Sequence, residues 1–196
     1  MRTSLRLIGG KKIESPKNDT TRPTTLMVRE AIFNILNRDV IDSNWLDLYS
    51  GSGAISCEAY NHGARKIVAI ERSKKNAQIC KNNLHSLQNA DSRALDVEVI
   101  CQDVFAWIKS SKSDLNISKV INLENNQFDY IYLDPPYRNN FNYSLLEEIF
   151  KSNLVKDKSI VIYEHSKTTK LKESIFWKVK DIRVYGQTKL AFLIKV

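Results

Sequence analysis

WLDLYSGSGAISCEA, residues 45–59, runs from an apolar strand-like tetrad through two glycines into a helix-like stretch. Gly51 and Gly53 let the backbone turn tightly and approach a ligand closely, at the electropositive amide end of the helix that follows. Glu71 ends the next strand-like run, 20 residues after Gly51, where an acid can bond ribose hydroxyls. A strand, a glycine turn, a helix and an acid at the next strand end describe a seat for a nucleoside-containing cofactor.

The identity of that cofactor turns on two departures from the dinucleotide pattern. Ser56 stands where a third glycine is wanted, and Asp47 precedes the glycines, poor company for a pyrophosphate. A carboxylate there suits a cationic amino acid moiety. S-adenosylmethionine carries an ammonium, a sulfonium and a ribose but no phosphate, so it fits better. The expected seat takes in Asp47, Tyr49, Gly51, Ser52, Gly53, Glu71 and Arg72, with Asp103 and Val104 following a later strand. Asp103 suits the adenine amino group, and equally a helix N-cap; both can hold together.

Outward from this stretch, strands and helices alternate. Strands are expected near 45–49, 66–71, 96–101, 128–133 and 158–163, and helices near 53–62, 73–87, 103–110 and 143–152. Such alternation implies an α/β fold with a mostly parallel sheet covered on both faces. Residues 176–184 and 189–196, joined by YGQT, should close it as an antiparallel hairpin. Residues 111–127 read as a polar surface excursion. Residues 1–40 read as an N-terminal extension to a main domain at 41–196. It holds a hairpin over 4–14 turning at Gly9-Gly10, a polar basic loop, and a helix capped by Thr24 or Thr25. That helix carries an apolar stripe of Val28, Ala31, Ile32, Ile35 and Leu36.

A second motif sits at Asp129–Asn140, DYIYLDPPYRNN, where an apolar run ends in an acid, two prolines and a tyrosine. In an open parallel sheet, ligands gather outside the carboxyl ends of the strands. An exocyclic amino group on a base is a poor nucleophile, because its lone pair is conjugated with the ring. Asp134 can accept one of its N–H groups and the Pro135 carbonyl the other, which favours a pyramidal nitrogen. Pro135 and Pro136 stiffen the turn, and Tyr137 offers a face for stacking. A cysteine nucleophile is not expected, because no cysteine adjoins this turn.

The bulk numbers suit one globular domain with a small appendage. The chain has 196 residues, 42% hydrophobic and 27% charged, with no apolar run long enough to span a bilayer and no apolar signal segment. A cytoplasmic monomer without a metal is expected. Cys57, Cys80 and Cys101 lack metal-like spacing and read as buried reduced thiols. The net charge of +8 is uneven. Residues 1–40 hold 8 basic and 4 acidic side chains, residues 41–150 hold 11 and 14, and residues 151–196 hold 11 and 4. Basic ends around an acidic middle suit a polyanion gripped at the flanks.

Together these motifs resemble class I S-adenosylmethionine-dependent methyltransferases that modify amino groups. More closely, the chain resembles the bacterial 16S ribosomal RNA guanine-N2 methyltransferase family RsmD. The likeness rests on LRLIGG (5–10), RPTTLMVREAIFNIL (22–36), LDLYSGSGAISCEA (46–59), AIERS (69–73), DPPY (134–137) and YGQT (185–188). It implies a seven-stranded Rossmann-like sheet and methylation of one guanine N2 in 16S rRNA of the assembled or nearly assembled small subunit. It also implies RNA-binding or site-closing roles for Arg22, Thr25 and Arg29. The basic run KKIES is thinner than the family's, and the 111–127 link is longer. Two other readings stay open here: an amino-methyltransferase on DNA adenine N6, and a non-catalytic rRNA-binding assembly factor. A nicotinamide-dependent dehydrogenase is disfavoured by the missing third glycine.

Overall fold

A computed structural model describes residues 3–16, 24–90, 96–110, 127–136, 143–171 and 174–196. The fold is α/β: seven strands form a mostly parallel sheet that ends in antiparallel strands, and a two-stranded hairpin precedes them. The chain divides into two compact units, Met1–Gln102 and Asp103–Val196. The excursion expected at 111–127 lies, except for Gln127, outside the described residues.

The first unit opens with the antiparallel hairpin β1 (Thr3–Arg6) and β2 (Lys12–Ser15), turning through Gly10 at φ 83°. Helix α1 (Leu26–Leu36) follows, with Thr25 as its N-cap: the Thr25 hydroxyl accepts from the Val28 amide at 3.3 Å. Then come β3 (Asn44–Leu48), α2 (Ala54–Asn61), β4 (Lys66–Ile70), α3 (Lys74–Gln88) and β5 (Asp96–Ile100). The three strands are parallel in the order β5-β4-β3. All five residues of β3 are buried, as an apolar strand covered on both sides should be. Helix α2 is buried from Ala54 to Tyr60, which its small residues Ala54, Ser56, Cys57 and Ala59 allow.

The buried face of α1 differs from the expected stripe. Val28, Ile32 and Leu36 are buried, but Ala31 is half-buried and Ile35 exposed, while Arg29 and Phe33 turn inward. Phe33 stacks on Trp45 at 5.4 Å and on His62 at 4.4 Å between ring centroids. Arg29, 1% exposed, sets its Nε 3.4 Å from Glu58 Oε1 and donates through Nη2 to the Arg6 carbonyl at 2.5 Å. An aromatic stack and an ion pair thus set the rotation of the helix, where apolarity alone pointed elsewhere.

Glu58 is itself fully buried and also accepts from the Ile8 amide at 2.9 Å. Burial pushes its carboxyl up, against the Ile8 amide and Arg29, which pull it down. The pair therefore ties hairpin, α1 and α2 together within the first unit. Removing one partner of a buried pair strands the other charge. Glu58→Ala is expected to lower stability by about 3 to 5 kcal/mol, read as a fall in the urea midpoint; an unchanged midpoint would show the pair to be inert.

The second unit holds α4 (Val104–Ser110), β6 (Phe128–Leu133), α5 (Tyr143–Phe150), β7 (Val155–Ser166), β8 (Trp177–Tyr185) and β9 (Thr188–Lys195). Strands β6 and β7 are parallel, and β7-β9 and β9-β8 are antiparallel. The expected closing hairpin is present, pairing Tyr185 with Thr188 across a turn with Gly186 at φ 60°. Helix α5 is anchored by Trp177, whose indole donates to the Leu146 carbonyl at 2.8 Å. Among the described residues no helix is long and apolar enough to cross a membrane.

Candidate cofactor seat and catalytic turn

The glycine turn is built on the end of β3. Tyr49 (φ 67°), Gly51 (φ 55°) and Gly53 (φ 75°) all take positive φ, and Gly53 caps α2 in the left-handed region. A Cβ at Gly53 would meet Cys80 Sγ at 2.4 Å, so α3 packs too close for any side chain there. At Gly51 a Cβ would meet nothing within 4 Å, so that side of the turn is open.

Glu71 is held over this turn. Its Oε2 accepts from the Gly51 amide at 2.9 Å and its Oε1 from the Ser73 amide at 2.8 Å. Each carboxylate oxygen keeps a further lone pair for a ligand hydroxyl. Asp47 lies within β3 and is 0% exposed. Its Oδ2 accepts from the Ser56 hydroxyl at 2.5 Å, while Oδ1 has no hydrogen-bond partner among the described residues. Burial raises its carboxyl to about 7, against the Ser56 bonds and with a smaller upward push from Glu71. The serine in the third-glycine position thus orients the acid, a link the sequence did not reveal. A buried carboxylate with an unpartnered oxygen fits a cationic group and would repel a pyrophosphate.

Of the other expected seat residues, Ser52 is buried and Arg72 exposed; the Arg72 carbonyl accepts from the Cys101 thiol at 3.7 Å. Asp103 and Val104 open the second unit. Asp103 Oδ1 accepts from the Ala106 amide at 3.1 Å, so the N-cap reading holds, and Val104 is buried. Of the three cysteines, Cys57 and Cys80 are buried and burial pushes both thiols up, whereas Cys101, just past the end of β5, is exposed, contrary to expectation. Neither buried thiol suits a nucleophile.

The Asp134–Pro136 segment leaves β6 without regular structure; Asp134 and Pro135 are half-buried and Pro136 exposed. Tyr137 lies outside the described residues, as does Arg22. The RNA-facing role expected for Arg29 meets a correction from its burial, because its guanidinium is committed to Glu58 and the Arg6 carbonyl. Thr25 spends its hydroxyl on the helix cap. Sequence reasoning also missed the buried Tyr132 hydroxyl donating to Glu164 at the ends of β6 and β7. Period-2 alternation in YIYL and VIYEHS marks strand faces but not which polar pair will meet.

A parallel sheet, a glycine turn at a strand end and a buried acid beside it define a class I methyltransferase-like protein. Solved structures share the fold. An Escherichia coli structure assigned provisionally to the methyltransferases matches with a TM-score of 0.79, at 23% identity and over 98% of each chain. An RNA methyltransferase from Salinibacter ruber, solved with S-adenosyl-L-homocysteine, matches with a TM-score of 0.59, at 19% identity over 89% of this chain and 94% of that one. The model of the family described as conserved hypothetical protein 95 matches residues 5–194. The Ribosomal RNA small subunit methyltransferase D of Buchnera aphidicola is 30% identical over 85% of this chain and 78% of its own. The chain belongs to this methyltransferase D family.

Proposed function

We propose that this chain transfers a methyl group from S-adenosylmethionine to the exocyclic N2 of one guanine in 16S rRNA of the small ribosomal subunit. The bound donor supplies an electrophilic methyl on a sulfonium. What supports the donor most directly is Asp47, whose unpartnered buried oxygen asks for a cation where a dinucleotide would bring phosphate. Glu71 takes the ribose hydroxyls, and Asp103 and Val104 flank the adenine.

Asp134 and the Pro135 carbonyl accept the two amino hydrogens, which holds the nitrogen lone pair for in-line attack; Tyr137 stacks on the base. Catalysis comes from orientation and from carboxylate charge near the amino group as it becomes cationic. The proton released on methylation leaves by way of the Asp134 carboxylate. The basic ends of the chain grip the phosphate backbone, with exposed Lys12, Lys178 and Lys180 among the accessible cations.

Labelled methyl is expected to enter small-subunit particles lacking the modification, and nucleoside digestion should yield 2-methylguanosine. Label in 6-methyladenine would move the activity to another base, and no label in any nucleoside would leave a binding role. Particle affinity should fall steeply with salt, because neutralised phosphates release counterions; a flat salt dependence would remove the cationic flanks from the interface.

A further inference from the structure

Asn83 of α3, 3% exposed, is a junction between two parts of the first unit. Its Oδ1 accepts from the Glu14 amide at 2.8 Å, and its Nδ2 donates to the Glu14 carbonyl and to the Ser52 carbonyl, each at 2.9 Å. Both N–H groups and one of the two acceptor lone pairs of the amide are thereby engaged. Glu14 belongs to strand β2 of the hairpin, whereas Ser52 lies between Gly51 and Gly53 in the cofactor turn.

A turn with two glycines at positive φ has many alternatives, and an anchor on the central carbonyl selects one of them. Asn83 is that anchor, and the same side chain holds the edge of β2. The hairpin is further attached through the Ile8 amide on Glu58 and through Lys11 Nζ on the Ser86 carbonyl at 3.0 Å. We propose that Asn83 is a positioning residue that couples the docked hairpin to the conformation of the cofactor turn, so that cofactor affinity senses the N-terminal extension. The inference rests on the cofactor reading above. Ligand is bound best by a turn already ordered, since ordering it on binding subtracts from affinity.

The test is calorimetric titration of S-adenosylhomocysteine into the 196-residue chain and two variants. Asn83→Asp keeps the acceptor for the Glu14 amide but loses both donors, and is expected to bind about tenfold more weakly. Its KM for the methyl donor should rise while kcat changes less than about twofold, since ordering of the turn is completed once the ligand is bound. Glu14→Pro deletes the amide given to Asn83 and leaves Ser52 alone; a loss of about threefold is expected, transmitted through Asn83. Unchanged affinity in folded Asn83→Asp, or a fall in kcat without a rise in KM, overturns the proposal. If Asn83→Asp does not fold, Glu14→Pro decides, and unchanged affinity there overturns it. Wild-type chain that fails to bind S-adenosylhomocysteine removes the cofactor reading itself, a separate result that takes this coupling down with it.

Discussion

Asp134→Ala should lower methyl transfer by roughly a thousandfold, while S-adenosylhomocysteine binds within about twofold of wild type. The carboxylate acts only on the amino group, where it draws one N–H and faces the positive charge that grows as the C–N bond forms. An interaction that strengthens in the transition state shows itself in kcat rather than in cofactor affinity. Asp134→Asn is the sharper variant. It retains an oxygen acceptor but not the charge, so it should recover part of the loss, which separates hydrogen bonding from electrostatics. Single-turnover rates and calorimetry measure the two quantities. A drop in cofactor affinity as large as the drop in rate would move Asp134 into the cofactor seat.

Asp47→Asn should weaken cofactor binding by about a hundredfold at pH 8, because a charge-assisted bond in a buried site is lost. The same change should stabilise the chain without ligand. The native carboxyl sits at about 7 against 3.8 for the ordinary group, so the folded state holds the proton more tightly than the unfolded one. Stability is then highest below the ordinary value and falls as pH rises towards 7, by on the order of 4 kcal/mol in all. A neutral amide in place of the Asp47 carboxyl carries no such penalty, so the stabilisation by the substitution should be largest above pH 7 and shrink as pH falls. Ligand binding runs the other way. A cation needs the ionised acid, so wild-type affinity should be level above about pH 7 and fall about tenfold per unit below it. Thermal melts and calorimetry across pH 5–9 check both, and a pH-independent affinity would assign the cation to another group.

The element order was readable because it depends on local periodicity. The all-apolar setting of Asp47 in WLDL, the glycines that follow and Glu71 at the next strand end place a cofactor turn without any long-range information. The closing hairpin was equally legible from the short YGQT link. The helix at 26–36 was found, but not its orientation: an apolar count favoured Ala31 and Ile35, whereas Phe33 and Arg29 face inward. The reason is a partner 29 residues away, Glu58, which makes an arginine worth burying. The same distance effect took Arg29 out of the expected RNA surface.

By itself, then, the sequence determined which segments become strands and helices, where the backbone turns through glycine, and which acids end the strands, since all of these are matters of spacing and residue type within a few positions. Tertiary structure alone decided that Ser56 orients Asp47, that burial brings the Asp47 carboxyl to about 7, and that Asn83 joins Glu14 to Ser52. Those depend on desolvation and on hydrogen bonds between residues 9 to 69 positions apart, and no local pattern encodes which distant groups the folded chain will bring within 3 Å.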